Sequence, residues 1–500
     1  MKKSCAAAPE YALGKSGEFV ITNYNLAKPF ASFFPGIAGP HGIPMWVFYV
    51  NRAQCVCSIG IEDKEHPIME FLSANAAYQL AGNQGFRTFL KFGTGKAVSM
   101  YEPFQTQLGT EAMDRTQRMI IFPAQLTLEE ENRTLGLKFS VDYFNVPEDS
   151  YAGLVRVLRI TNIGRKPAKF EMLDGLPMIV PFGVDNYNLK HMRRLVESFV
   201  EVVNYDHLAP YFKSKVKQED RPEVTRIKEG NFYVGFEPSG KSSKLVRPLV
   251  DPVHVFGDLT DYSYPQAFLA QTPFRIKPGQ ILENRLPCAM GAVSTTISAG
   301  ETYTYCSIIG SAQTVESLNR MVPRITKMAY IQAKQRENEA LVSKLTQHNF
   351  VQSSSRAFDL YARQNFLDNT LRGGLPISLR DGNKVTTLHL YSRKHGDLER
   401  DYNDYRLSAT NYSQGNGNFR DVNQNRRNDL LINPDVRESN VEHFYNLIQL
   451  DGFNPLIVKT TSFSVSRRSE LKRVLAGALD RGGAREVDAF LHGRRFAPGQ

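Results

Sequence analysis

Residues Leu154–Leu173 read LVRVLRITNIGRKPAKFEML. Val, Leu and Ile fill the first part, Asn162, Gly164 and Pro167 interrupt it, and Phe170 and Met172 sit in a second apolar run. Branched side chains suit a strand, and Gly, Pro and Asn suit a turn, so the stretch predicts strand, glycine-containing turn, strand. The same signal spreads outward. LGLKFSVDYFNV (135–146) alternates in places, and GEFVITNY (17–24), MWVFYVNR (45–52), RTFLKF (87–92) and RMIIFPAQLTL (118–128) are short apolar runs with turn residues between them. Many short strands punctuated by turns predict a large antiparallel β-sandwich over 1–313. No repeat of 20–50 residues stands out, which argues against a propeller.

Within this region, 182–265 is mixed. HMRRLVESFVEVV (191–203) has helical spacing, YFKSKVKQEDRPEVTRIKEG (211–230) has the charge of an exposed loop, and the span reads as a variable insertion. The composition changes near Thr314. KMAYIQAKQRENEALVSKLTQH (327–348) is a charged amphipathic helix with Met328, Ile331, Leu341, Val342 and Leu345 as apolar positions, so 314–350 reads as a helical linker. From 351 onward helices are expected. One carries Ala357, Leu360, Tyr361, Leu367 and Leu371 near one face and stops at Gly373-Gly374. Another opens with a capping box, Ser439 and Glu442, and shows a core stripe of Val441, Phe444, Leu447 and Ile448. SELKRVLAGALD and AREVDAFLHG follow. The fold class is thus mainly β plus α.

Five hundred residues exceed one ordinary core, so at least two domains are expected. A 42% hydrophobic and 22% charged composition is that of a globular protein. The net charge of +10 is spread without a long Lys/Arg block or a nucleic-acid motif, so no nucleic-acid partner is expected. No apolar run approaches a membrane span, and the N-terminus lacks a signal-type apolar segment, which predicts a cytoplasmic protein with reduced cysteines. Cys55 and Cys57 form a C-x-C pair whose thiols share one face of a regular strand; a metal site needs more ligands than these, and none is expected.

The polar chemistry concentrates in Ser413–Val436, SQGNGNFRDVNQNRRNDLLINPDV. A sugar hydroxyl both donates and accepts, so a sugar site needs carboxylate and amide acceptors beside guanidinium and amide donors. Arg420 offers a planar fork of donors, Asp421 two acceptor oxygens, and Asn423 and Gln424 both kinds. The same Arg-Asp pair also fits an ion pair that pins a loop. Gly415 and Gly417 fit a sharp or closely approached backbone, or an ordinary turn. A second cluster, Arg393, Lys394, His395, Asp397, Glu399, Arg400, Asp401 and Asp404, suits acid–base work or a solvated ion-pair network. In GIAGPHGIPMWVFY (36–49), Trp46 is read as core in preference to a sugar-stacking ring.

SQGNGNFRD followed by VNQNRRND resembles the start of the catalytic domain of the inverting β-glucan phosphorylases, glycoside hydrolase families 94, 149 and 161. NYNLAKPFASFFPGIAGPHGIPMWVFYVNR (23–52) and RKHGDLERDYN (393–403) look like the long, oligoglucan members of this cellobiose-phosphorylase-like group. The resemblance implies an N-terminal β-sandwich, a helical linker and an (α/α)6 barrel, of which 351–500 would be the incomplete beginning. It implies that Arg420 and Asp421 bind the glucosyl unit beside the scissile bond, with Gln414, Asn423 and Gln424 as helpers. Gln414 stands where family 94 has a first Arg, and the spacing is one residue longer, which points to families 149 and 161 and to a β-1,3- or β-1,2-linked glucooligosaccharide, β-1,3 preferred.

The implied reaction is phosphorolysis to α-glucose 1-phosphate, with inorganic phosphate as co-substrate, no cofactor, and one Asp as general acid. No such acid motif is found after Phe463, and Asp480 and Asp488 do not match one. The general acid and phosphate site are therefore expected beyond Gln500, in a longer reading frame or on a separate chain carrying the rest of the barrel. The chain alone is then expected to be inactive; a homodimer is compatible with this reading. The competing readings are a non-catalytic carbohydrate-binding protein and a non-functional fragment.

Overall fold

A computed structural model describes residues 8–93, 98–106, 113–219, 221–240, 242–394 and 405–500. The deciding stretch forms the strands Ala152–Asn162 and Ala168–Leu176. They do not pair with each other. The first lies between Leu137–Asn145 and Thr302–Ala312 in an eleven-stranded sheet. The second lies between Arg87–Phe92 and Ala289–Ile297 in a five-stranded sheet. The turn at 163–167 thus carries the chain from one antiparallel sheet into another. A third sheet pairs Ala31–Phe33, Trp46–Val50, Val56–Gly60 and Pro67–Met69 in order.

Alternation along Ala152–Asn162 shows why its sequence is apolar almost throughout. Leu154, Leu158 and Ile160 share a core with Phe139, Val141 and Tyr143 of their own sheet, with Leu90, Phe170 and Met172 of the five-stranded sheet, and with Val47 and Ile59 of the third. Val155 and Val157 point the other way, onto Leu318, Met321, Val322, Ile325 and Ile331 of two helices. A strand buried on both faces loses its polar alternation. Arg156 has the parity of the inner face. Its guanidinium ion-pairs with Asp174 of the five-stranded sheet and donates to Gln54 Oε1 at 2.6 Å and Thr88 Oγ1 at 3.1 Å.

The helices Val315–Ile325 and Met328–Thr346 pack onto the large sheet. Thr314 and Ser317 close a capping box at the first. Asp149 accepts both ends of the Arg324 fork at 2.7 and 2.8 Å and the Tyr330 hydroxyl at 2.9 Å. Lys334 reaches the carbonyls of Pro147 and Glu148 at 2.8 and 2.9 Å. After these two helices, the helix Arg356–Gly373 starts at a Ser355 cap and ends at Gly374, whose φ of 91° needs a residue without a Cβ. The hairpin Leu375–Asp381/Lys384–Leu390 and several short helices follow.

Several local expectations are corrected. FVEVV is not helical: after the helices Asn186–His191 and Arg193–Glu197, Val200–Val203 is an edge strand of the large sheet, joined by Tyr211–Ser214, which the sequence assigned to an exposed loop. Cys55 and Cys57 do not share a face. Cys55 lies before the strand with φ of 68° and packs in the core between the sheets, whereas Cys57 packs with Trp46, Phe71 and Tyr405 on the far side. Trp46 is a core residue, its Nε1 donating to the carbonyls of Ile61 and Asp63. Ser439 is the first residue of its helix and caps nothing; Val441 and Ile448 are exposed, and only Phe444 and Leu447 pack inward. In Arg356–Gly373, Leu367 and Leu371 are buried but Ala357 and Tyr361 face solvent, since the first turns have little packed over them. No helix among the described residues is long and apolar enough to cross a membrane.

Candidate functional site

The polar stretch is ordered by its glycines. Gly415 N–H donates to Ser392 O, and a Cβ on Gly415 would lie 1.8 Å from Arg406 O. A Cβ on Gly417 would lie 2.3 Å from Val422 Cγ2. Gly417–Asn418 pairs with Ile457–Val458, and the next residue opens the helix Phe419–Arg426. That helix rests on Arg356–Gly373 so closely that a Cβ on Gly373 would be 2.9 Å from Asn425 Cβ.

Asp421 is the third helical residue. Its Oδ1 accepts from Arg420 Nε and Nη2 at 3.2 and 3.1 Å, its Oδ2 from Asn418 Nδ2 at 3.2 Å, and Arg372 Nη1 lies 3.9 Å away. Burial pushes its carboxyl up, but the hydrogen bonds from Asn418 and Arg420 and the two guanidinium charges outweigh it, so Asp421 titrates below the usual range. Arg420 is 86% exposed and among the described residues reaches only its neighbour Asp421, so it ties the helix to no other described element. Asn423 and Gln424 are exposed and lie three and four residues on, on the same helical face as Arg420. Asn425 takes the inner position, donating to Asp421 O at 2.7 Å.

Gln414 is not brought to this face. It is 5% exposed and lines a cavity of about 10 Å³ with Gly415, Arg426, His443 and Thr460, space for about one water. His443 Nε2 has no partner among the described residues. Beside this cavity lies a group that sequence reasoning missed. His389 Nε2 and Asp429 Oδ2 are 2.7 Å apart and buried, and Asn440 Nδ2 donates to the same oxygen at 2.8 Å. Burial and the Arg426 charge push His389 down to about 4 against the pull of Asp429, so the ring is neutral at neutral pH and donates to the carboxylate. Burial also lowers Arg426 to about 10, and its Nε donates to Gly373 O at 2.8 Å. Alternation puts His389 on the face opposite Leu388 and Leu390, and the strand is buried on both faces at this point, so no local pattern marked His389 as inward.

Of the second cluster, Arg393 is buried under the third sheet's approach, donating to Pro35 O, and His395, Asp397, Glu399, Arg400, Asp401 and Asp404 lie outside the described residues. Asp480 caps the helix Arg481–Leu491, and Asp488 pairs with Arg468 at 2.8 Å. No His, Cys, Asp and Glu group among the described residues is arranged to hold a metal ion.

No family model matches the sequence, and no curated protein matches it. Solved structures with partial likeness include a polysaccharide lyase, at 10% identity and a TM-score of 0.29, covering 55% of this chain and 33% of the lyase. A protein described as a kojibiose phosphorylase from the human microbiome aligns at 8% identity and a TM-score of 0.22, covering 59% of this chain and 28% of its own. A protein described as an aldose 1-epimerase from Klebsiella pneumoniae subsp. pneumoniae MGH 78578 aligns at 8% identity and a TM-score of 0.25, covering 66% and 87%. This chain therefore spans about a third or less of the lyase and the phosphorylase it matches.

Proposed function

We propose that the chain is the sugar-binding, N-terminal part of an inverting β-oligoglucan phosphorylase. Its β-sheets would form the sandwich, and the helices from Arg356 onward the start of an (α/α)6 barrel. Asp421, with Arg420, Asn423 and Gln424, would hold a glucosyl unit of a β-1,3-glucooligosaccharide, or a β-1,2 one in second place. The observation that carries this is the presentation of Arg420. Its fork of donors, which no other described element engages, stands at the surface beside an ionised Asp421 whose second oxygen carries a 3.2 Å bond from a neutral amide. Gln414 serves this reading only by shaping the backbone beneath the helix. Inorganic phosphate would attack the anomeric carbon as an acid protonates the departing glycosidic oxygen, giving α-glucose 1-phosphate and a shortened glucan. We assign no general acid or phosphate site among the described residues.

Calorimetric titration of the 500-residue chain with a β-1,3-glucooligosaccharide tests the binding half of the proposal. Asp421→Ala should weaken binding at least about tenfold, since charge-assisted hydrogen bonds contribute about 1.5–3 kcal/mol each. Its melting temperature should change little, because exposed ion pairs contribute about 0–1 kcal/mol. Unaltered affinity in the variant, or no saturable binding by the native chain, refutes the assignment. A large loss of stability with affinity intact shows that the pair only holds the helix start.

A further inference from the structure

A cleft of about 430 Å³ opens in the β-region, between the helix Arg193–Glu197 and the segment that follows Asp251. This is the size range of small-molecule sites, about 300–1,000 Å³. Among the described residues, three guanidiniums line it, Arg193, Arg194 and Arg285, against one carboxylate, Glu197. Arg194 is on the surface and pairs with Glu197 at 3.1 Å, so it answers that charge. The other two are anchored from behind. Arg285 Nη1 is held at 2.9 Å by the buried Asp251, which leaves its Nε and Nη2 without a protein acceptor among the described residues. Arg193 Nη2 contacts the Tyr262 hydroxyl at 3.3 Å and Met178 Sδ at 3.4 Å, Nε lies 3.8 Å from Glu197, and Nη1 has no such acceptor. Tyr262 reaches Arg193 from a left-handed backbone, φ 57°, which is costly for a bulky residue. Val253, Leu259 and Leu286 supply an apolar wall.

We propose that this cleft binds a phosphate monoester with an apolar or ring-shaped body. Guanidinium N–H groups pair with oxyanions in planar forks. A phosphate monoester brings three terminal oxygens and close to two negative charges to the two guanidiniums, against the two oxygens and single charge of a carboxylate. The apolar wall takes the body, and the anchoring of both arginines by protein groups spares the cost of ordering them on binding. None of the residues from Ser413 onward lines the cleft, so the proposal stands or falls separately from glucan binding near Asp421.

The test is calorimetric titration of the whole chain at low ionic strength with phenyl phosphate, inorganic phosphate, benzoate and glucose. Phenyl phosphate should saturate at one site, with inorganic phosphate and benzoate at least about tenfold weaker and glucose silent, as expected when one charge-assisted contact or the apolar contact is missing. R193Q, at a half-exposed side chain, and V253W, which fills the cleft, should each weaken phenyl phosphate at least about tenfold. If V253W folds poorly, R193Q decides alone. Absence of saturable phenyl phosphate binding overturns the proposal, as does wild-type affinity in R193Q. Benzoate binding as tightly as phenyl phosphate overturns the assignment to phosphate.

Discussion

Arg156 and Asp174 meet between two sheets with almost no exposure, and Thr88 and Gln54 bond to the pair. Removing one partner strands a buried charge, at a cost of about 3–5 kcal/mol, whereas replacing both by apolar residues costs far less. Asp174→Leu should therefore shift the urea midpoint strongly downward, and Arg156→Met with Asp174→Leu should recover most of it. His389 loses stability on acidification, as a salt-bridged acid does, but over a higher pH window. Its folded value, about 4, lies below its ordinary 6.5, so the unfolded chain binds the proton more readily, and stability falls as pH drops from 6.5 to 4. The full loss is about 3 kcal/mol at about 1.4 kcal/mol per unit. Urea titrations across that window should show it, and His389→Gln should flatten it. Trp46 was legible because aromatic and branched neighbours surround it in sequence. His389 was not, because its partners Asp429 and Asn440 lie in a stretch whose polar residues all look alike until packing selects which point inward.

At the level of elements, the helix Met328–Thr346 illustrates what packing adds to amphipathicity. The sequence marks Ile331, Val342 and Leu345 as inward, and they are buried. It does not reveal that Lys334 and Asn338 also turn inward to satisfy carbonyls of Pro147, Glu148 and Ala124. With the helix fastened through Asp149, limited proteolysis should spare it and cut in the segment around Phe350, which is highly exposed. Asp149→Ala releases the Arg324 fork and the Tyr330 hydroxyl, so the first cut should move to the N-terminal side of Met328 when fragments are measured by mass spectrometry. Where the sequence misread an element, a neighbour had overridden it. Val200–Val203 has helical spacing but joins a sheet edge beside Tyr211–Ser214, and Ser439 has the residues of a cap but the wrong backbone position.

Across the whole molecule, burial is uneven. The sheets share cores of dozens of buried side chains, whereas Leu431, Tyr445, Leu450, Phe453 and Leu456 stand exposed in the later segment. Chemical denaturation should therefore show two transitions, the earlier one removing helical signal and leaving the β-region intact, as followed by circular dichroism and Trp46 fluorescence. The antiparallel β character and the order of strands before helices were readable from local patterns. Sheet membership was not, since the two halves of Leu154–Leu173 look like one hairpin and end in different sheets.

That crossover dictates an order of events during synthesis. Ala152–Asn162 acquires its second neighbour only when Thr302–Ala312 arrives, and Gly230–Ser239 waits for the same strand. Until then two long strands present open edges to any other chain, and pairing across so many residues is slow. The ribosome must release more than half of the protein before the large sheet is continuous. A nascent chain stopped at Ile297 should aggregate or recruit a chaperone, while one stopped at Phe350 should be recovered soluble, a contrast that expression of the two truncations and sedimentation will measure.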